Sequence, residues 1–199
     1  MIALALIIEL DGPTAIDLRA RRAAQSRSMR RLARLLSPLF PLGLPGGYIT
    51  LAYLLERRIA RWSGSRAPEI TRSAWAGWLV HRAFKLFYRR ERPRRPGRRR
   101  RSDSYPSGHT TATTAVALTV ATVLAQRQLV SRPAAVALGV VAPGLMGAYR
   151  VLADDHWATD VVGGWLLGAA IAETAIRRSP ELRRGAPAEG PRSARPARA

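Results

Sequence analysis

Two histidines of this chain lie in local sequences that are typical of an anion-binding or catalytic site. His109 directly follows a Pro-Ser-Gly turn, residues 106–108, and opens the apolar run TTATTAVALTVATVLA. The turn directs Ser107 and the first unbonded N–H groups of the expected helix towards one point, and such donors bind phosphate well at the positive end of a helix dipole. For this motif taken alone, an ordinary helix cap with a histidine in its first turn is the alternative.

The second histidine comes with a carboxylate. His156 lies in the segment RVLADDHWATD and Asp160 follows it by four residues, so on a helix the two side chains share a face. A carboxylate bonded to one ring nitrogen fixes the tautomer and makes the other nitrogen a better nucleophile. A metal site in DDHxxxD is the competing interpretation, and it is the weaker one because the segment has no second histidine.

The cations form a third signal. The chain has 33 Lys and Arg residues, and Lys85 is its single lysine. Arg92 follows seven residues later, about two helical turns, which places both near one face of a helix. Lysine supplies a compact charge and arginine a planar fork for two phosphate oxygens. Arg150 precedes His156 by six residues, so three segments each bring a cation or a histidine to the end of an apolar stretch.

Five apolar stretches must position these residues. Each has 16 to 18 residues, about 24–27 Å of helix, which is slightly less than the ~30 Å hydrocarbon core of a membrane. Their Ala, Val, Leu, Gly and Thr residues show no clear amphipathic period, and their small residues allow close helix packing. We therefore expect an all-α, membrane-embedded bundle of about five to six helices, with a soluble helical core as the alternative. The stretches are 38–55, 73–88, 109–126, 133–149 and 160–176.

The flanks divide the chain into three parts. Residues 1–37 form a basic amphipathic N-terminal segment, and residues 18–36 within it carry seven arginines between leucines. This pattern indicates a helix on a membrane surface or, as an equal alternative, a solvated helix. Residues 38–176 form the helical domain. Residues 177–199 are rich in Pro, Ala, Gly and Arg and are expected to be a disordered basic tail.

The overall charge indicates anionic partners. The formal net charge is +20, which favours phosphates, acidic lipid headgroups or nucleic acid. Nine arginines lie in residues 88–101 alone. The chain has no cysteine, which excludes disulfides and thiolate metal sites.

The three motifs together resemble one known family. K-x6-RP, PSGH and R-x5-H-x3-D, in this order, are similar to the motifs of the type 2 phosphatidic acid phosphatase superfamily, which also contains bacterial non-specific acid phosphatases and vanadium-dependent haloperoxidases. The resemblance extends over residues 85–160. Two features depart from the family: Tyr149 stands where serine usually precedes the arginine, and membrane members usually have six spanning helices. The matching positions are Lys85, Arg92, Pro93, Pro106, Ser107, Gly108, His109, Arg150, His156 and Asp160.

The resemblance implies a role for each residue. His156 would attack phosphorus and form a phosphohistidine, Asp160 would orient it, and His109 would protonate the leaving oxygen and then activate water. The phosphoryl oxygens would be held by Lys85, Arg92, Arg150, Ser107 and the Gly108 amide. The resemblance implies no metal and no other cofactor.

The same resemblance implies a multi-pass protein of the cell membrane. Its substrate would be a lipid phosphate or a polyprenyl (di)phosphate. Membrane lipids would surround it, and no nucleic acid is expected as a partner. Two other functions compete. A vanadate-dependent haloperoxidase would use the same residues, but such enzymes resemble larger soluble proteins. An Arg-rich nucleic-acid-binding protein would use Arg94–Arg101, but it leaves the apolar stretches and the histidines unexplained.

Overall fold

The fold is built from helices joined by short turns. The computed structural model describes residues 12–93 and 103–183, and within these ranges it has eight helices and no strand. The all-α prediction is confirmed, and the eight helices exceed the five to six expected because the flanking segments are helical too. The helices are α1 (Ala15–Ala24), α2 (Arg27–Leu36), α3 (Pro45–Ser63), α4 (Pro68–Phe87), α5 (Gly108–Gln126), α6 (Arg132–Leu152), α7 (Ala158–Arg177) and α8 (Pro180–Arg183).

Five of the helices are long, with 19 to 21 residues each, and they correspond to the five apolar stretches. The first stretch, 38–55, differs most from its helix. Two 3-10 turns, Ser37–Leu39 and Pro41–Gly43, occupy its beginning, and α3 starts only at Pro45. Prolines lack the N–H group that a helix interior needs, so the three prolines at 38, 41 and 45 delay the helix to a position where proline is tolerated.

Helix α5 lies at the centre of the bundle and contacts α3, α4, α6 and α7. Its closest neighbour is α7, where glycine lets the backbones approach. A Cβ at Gly168 would lie 2.6 Å from the carbonyl oxygen of Thr111, and one at Gly164 would lie 2.9 Å from that of Ser107. The small residues of the last apolar stretch therefore serve close packing, as the sequence indicated.

The apolar core joins α3, α4 and α5 through Tyr48, Ile59, Ile70, Val116 and Val123. Of the described helices, α6 and α7 are long and apolar enough to cross a membrane, with mean hydropathy of 1.6 and 1.2 over their most apolar windows. Both place part of their apolar surface outward rather than in the core.

The basic N-terminal segment is two helices rather than one. The break falls at Gln25 and Ser26, where the Ser26 hydroxyl accepts a hydrogen bond from the amide of Met29 and so begins α2. Helix α1 packs on α6 and α7, and α2 packs on α6. At the other end, helix α7 continues to Arg177, and Leu182 of α8 is buried in the core. Residues 1–11 of the predicted N-terminal segment, the arginines Arg94–Arg101 and residues 184–199 of the predicted tail lie outside the described residues.

Candidate active site

One end of the bundle collects the residues of all three motifs. Helices α4 and α6 end there, and α5 and α7 begin there, so four chain segments meet at one place. The structure puts Lys85 in the last turn of α4, Arg92 in the following loop, Ser107 at the N-cap of α5, Gly108 and His109 at its start, Arg150 in the last turn of α6, His156 in the next loop and Asp160 in the first turn of α7.

His156 and Asp160 form a buried pair. The Nδ1 atom of His156 lies 3.3 Å from Oδ2 of Asp160, and the same oxygen accepts a hydrogen bond of 2.8 Å from the amide of Trp157. With Nδ1–H directed at the carboxylate, the lone pair belongs to Nε2. This Nε2 faces the Nη1 atom of Arg92 at 3.1 Å. The ring nitrogen that carries the lone pair therefore points at a guanidinium.

The protonation state of His156 suits a nucleophile. Burial holds the pKa of the imidazole well below its usual range, and the positive charges of Arg92, Arg150 and Lys85 lower it further. A backbone hydrogen bond at Ser104 acts in the opposite direction but does not outweigh them. The ring is therefore neutral at physiological pH, and its lone pair is available for attack.

The three cations are each oriented by a contact with the chain. The Nζ atom of Lys85 donates to the carbonyl oxygen of Asp103 at 2.5 Å, and Nη1 of Arg92 donates to that of Asp155 at 2.6 Å. Arg150 is buried, and its Nη1 lies 3.3 Å from Oδ2 of Asp155. Fixed cations around a neutral histidine make a site that stabilises added negative charge.

Ser107 and Gly108 form the floor of the site. The fully buried Ser107 donates its amide to the carbonyl oxygen of Asp160 at 3.0 Å, which fastens the start of α5 to the start of α7. A Cβ at Gly108 would lie 2.7 Å from Nε2 of His81. The third histidine of the chain therefore lies directly behind the turn, and only glycine fits between it and the site.

His109 is enclosed by the turns before α3. Its ring stacks on Phe40 with centroids 5.1 Å apart, and a Cβ at Gly43 would collide with it. The guanidinium carbon of Arg150 lies over the Phe40 ring, 5.5 Å from the centroid of that ring. In the part of the chain that the structure describes, Nε2 of His109 is buried without a hydrogen-bond partner. A buried, unsatisfied ring nitrogen in the field of Arg92 and Arg150 is suited to an oxygen of a bound phosphate or its leaving group.

The carboxylates of the DDH segment bind arginines. Asp154 makes a two-pronged contact with Arg21 of α1, at 2.8 and 3.1 Å, and Asp155 faces Arg150. Among residues 12–93 and 103–183, no three histidine or carboxylate side chains cluster as metal ligands would. Both carboxylates of the segment instead face guanidinium groups.

Sequence reasoning missed two charged residues that touch this site. Arg90 and Asp17 are both buried, and Arg90 binds Asp160 directly, at 2.6 Å from Oδ1. Arg90 was hidden among nine arginines of one run, and Asp17 lies in a segment that looked like a surface helix. The 3.6-residue period places Arg21 on the same face of α1 as Asp17, four residues on, so the spacing alone did not single Asp17 out.

Comparison with known proteins agrees with the motif resemblance. Residues 73–184, more than half of the chain, match the model of the PAP2 superfamily. The chain belongs to the PAP2 superfamily, which confirms the resemblance and, with it, the prediction of a phosphatase. No curated protein sequence matches the chain.

The fold is similar to that of a solved structure. It is described as the first transmembrane PAP2 type phosphatidylglycerolphosphate phosphatase from Bacillus subtilis, with a TM-score of 0.74 and 20% identity over 87% of this chain and 89% of that chain. At this identity the likeness establishes the helical architecture. The roles of the individual site residues stay predictions.

Proposed function

We propose that the protein is a multi-pass membrane phosphatase that releases phosphate from a lipid phosphate or a polyprenyl (di)phosphate through a phosphohistidine on His156. The observation that carries the proposal is the orientation of that ring: Nδ1 on Asp160 and Nε2 facing Arg92 at 3.1 Å. A neutral imidazole held by a carboxylate and aimed at a guanidinium is arranged to attack a bound phosphoryl group.

The first chemical step transfers the phosphoryl group to the enzyme. Nε2 of His156 attacks phosphorus with its lone pair, and the bond to the leaving oxygen breaks. His109 gives its proton to that oxygen, so the lipid alcohol, or the lipid monophosphate in the case of a diphosphate, leaves in protonated form. Asp160 stabilises the positive charge that develops on the His156 ring.

The second step returns the enzyme to its starting state. His109, now unprotonated, takes a proton from water, whose oxygen attacks phosphorus, and the P–N bond breaks to restore Nε2. In both steps Lys85, Arg92 and Arg150 balance the charge on the phosphoryl oxygens. These fixed cations provide the electrostatic stabilisation that phosphoryl transfer requires.

A lipid substrate is supported by the outer surface of the bundle. Val136 and Val140 of α6 are 67% and 64% exposed, and Leu79 of α4 is 57% exposed. Large apolar side chains that point outward on several long helices favour a lipid environment. The solved relative is described as a phosphatase of phosphatidylglycerolphosphate, which makes a glycerophospholipid phosphate a substrate to test beside a polyprenyl diphosphate.

The experiment is phosphate release by detergent-purified protein from both lipid substrates, with and without EDTA, beside His156→Ala. We expect release that survives EDTA and vanishes in the variant. Acid quenching would destroy the intermediate, so alkaline quenching of labelled substrate should trap a phosphoenzyme that is stable in base and labile in acid. Release by the His156 variant, or loss of release in EDTA, would contradict the proposal.

A further inference from the structure

The carboxylate that orients His156 is itself held by a second pair of charges. One oxygen of Asp160, Oδ2, serves the His156 ring and the Trp157 amide. The other oxygen, Oδ1, accepts a hydrogen bond of 2.6 Å from Nη1 of Arg90. Because both oxygens are occupied, rotation of the carboxylate away from His156 would break the contact with Arg90 as well.

Arg90 is held in turn by the N-terminal helix. Its Nη2 atom lies 2.7 Å from Oδ2 of Asp17, and its Nη1 atom also donates to the Thr159 hydroxyl at 2.8 Å. The other oxygen of Asp17, Oδ1, accepts the amide of Thr159 at 2.9 Å. Asp17 therefore binds both Arg90 and Thr159, the residue that precedes Asp160 in the chain.

Asp17 is built to stay charged. Burial raises the pKa of its carboxyl, but hydrogen bonds from the Thr159 and Thr14 amides and the nearby Arg90 outweigh burial and leave the pKa below its usual value. The Thr14 contact is a capping box, in which each residue bonds the backbone of the other at the start of α1. The bridge from Arg21 to Asp154 fastens α1 to the loop before His156.

Asp17, Arg90 and Asp160 make a buried row of alternating charge that ends on the neutral ring of His156. We infer that Arg90 and Asp17 are positioning residues for His156, which they hold through Asp160, and that α1 is thereby a working part of the active site. Two arguments support this. First, a single cation beside Asp160 would weaken the hydrogen bond from the His156 ring to that carboxylate, and the negative charge of Asp17 offsets the cation. Second, the planar guanidinium of Arg90 fixes the angle of both carboxylates. The inference rests on the proposed role of His156.

The test compares Arg90→Gln, Asp17→Asn and the double variant with the wild-type protein in detergent. We expect kcat for phosphate release to fall on the order of 10- to 100-fold in each, the size typical of groups that hold a reactive side chain through another residue. KM and inhibition by vanadate should change little, because neither residue touches the phosphate. Matched controls are the exposed Arg89→Gln and Glu173→Gln, which we expect to keep the wild-type rate.

A double-mutant cycle separates positioning from general structural damage. If Asp17 acts through Arg90, then adding Asp17→Asn to Arg90→Gln should lower kcat little further than Arg90→Gln does alone. Arg90→Lys and Asp17→Glu should recover part of kcat. Losses that simply multiply in the double variant, or a kcat within twofold of wild type in Arg90→Gln, would overturn the inference.

A measurement without turnover keeps the inference independent of the proposed function. In protein labelled with nitrogen-15 histidine, the ring shifts of His156 should report a Nδ1–H tautomer in the wild type and a mixture in Arg90→Gln. A wild-type protein that is inactive on every lipid phosphate would contradict the proposed function but not the positioning role. An unchanged tautomer in the variant would contradict the positioning role but not the proposed function. The same spectra show whether each variant is folded.

Discussion

The two ends of the bundle use arginine in opposite ways. At the end away from the site, the guanidinium of Arg127 donates to the Ser63 hydroxyl at 2.7 Å and to the carbonyl oxygens of Ser65 and Arg66 at 2.7 and 2.6 Å. These acceptors close the loop between α3 and α4 onto the end of α5. At the site end, the cations converge on a histidine instead.

The difference lies in what the charges face. Arg127 is surrounded by oxygen acceptors of the chain, so it stabilises the fold. Arg92 faces Nε2 of His156, and among the described residues Nε2 of His109, at the same end of the bundle, is buried without a hydrogen-bond partner. Cations that face ring nitrogens as well as oxygens of the chain can also bind an added anion. The number of arginines at a place is therefore a poorer guide to function than the groups they face.

The variant that should separate the two ends most strongly removes the proposed nucleophile, His156. We expect His156→Ala to lower kcat by about 10⁴-fold or more, as loss of a nucleophile does in other enzymes with covalent intermediates. Phosphate release from a lipid phosphate measures it, with Arg127→Gln as the control from the opposite end. Comparable rates in the two variants would show that the site end has been misassigned.

Removal of one cation from the site should have the next largest effect. We expect Lys85→Ala and Arg150→Ala each to lower kcat/KM about 100-fold, the size seen when one donor to a developing oxyanion is lost. Binding of inorganic phosphate or vanadate should weaken too. Arg89→Ala removes an exposed arginine beside the same site, and a loss there as large as in Arg150→Ala would mean that net charge, and not position, matters.

The opposite end should respond in stability and not in rate. Arg127→Gln removes charged hydrogen bonds to three acceptors, and we expect the free energy of unfolding to fall by about 2 kcal/mol while kcat is unchanged. Thermal denaturation in detergent, together with the phosphate assay, measures both quantities. A rate loss without a stability loss would contradict the contrast between the two ends.

The smallest expected effect is on the pH dependence of stability. Burial holds the pKa of His156 well below its usual range in the folded protein. Above pH ~6.5 the ring is neutral in both states and contributes nothing. Below it the unfolded chain gains a proton that the folded protein does not, so stability falls as the pH falls.

Comparison of wild type with His156→Gln isolates this effect from the other titrating groups. Between pH 7 and 5.5 the wild type should lose about 1 kcal/mol more than the variant. Denaturation at both pH values measures the difference. Equal losses in the two proteins would show that His156 is protonated in the folded state over this range.

Much of the site was readable because its motifs are local. Proline and glycine in PSGH, the four-residue step from His156 to Asp160 and the single lysine are each visible within a few positions of the chain. The five long helices were readable for a similar reason, since their composition alone marks them as buried or lipid-facing. The start of α3 was not, because three closely spaced prolines interrupt a stretch whose composition is otherwise that of a continuous apolar helix.

Other features depend on contacts between distant segments. Phe40 covers His109 from a turn nearly seventy positions away, and Arg90 joins Asp160 to Asp17 across 70 and 73 positions. No local pattern distinguishes Arg90 from the exposed Arg89 beside it.

The sequence by itself determined the helical class, the family and the identity of the residues that meet at one end of the bundle. Tertiary structure decided which arginine reaches the His156–Asp160 pair, and that the N-terminal helix contacts that arginine. The physical reason is that residue type and spacing set what a side chain can do. Burial and the choice among identical arginines are set by helix packing, which brings together groups that are far apart in the chain.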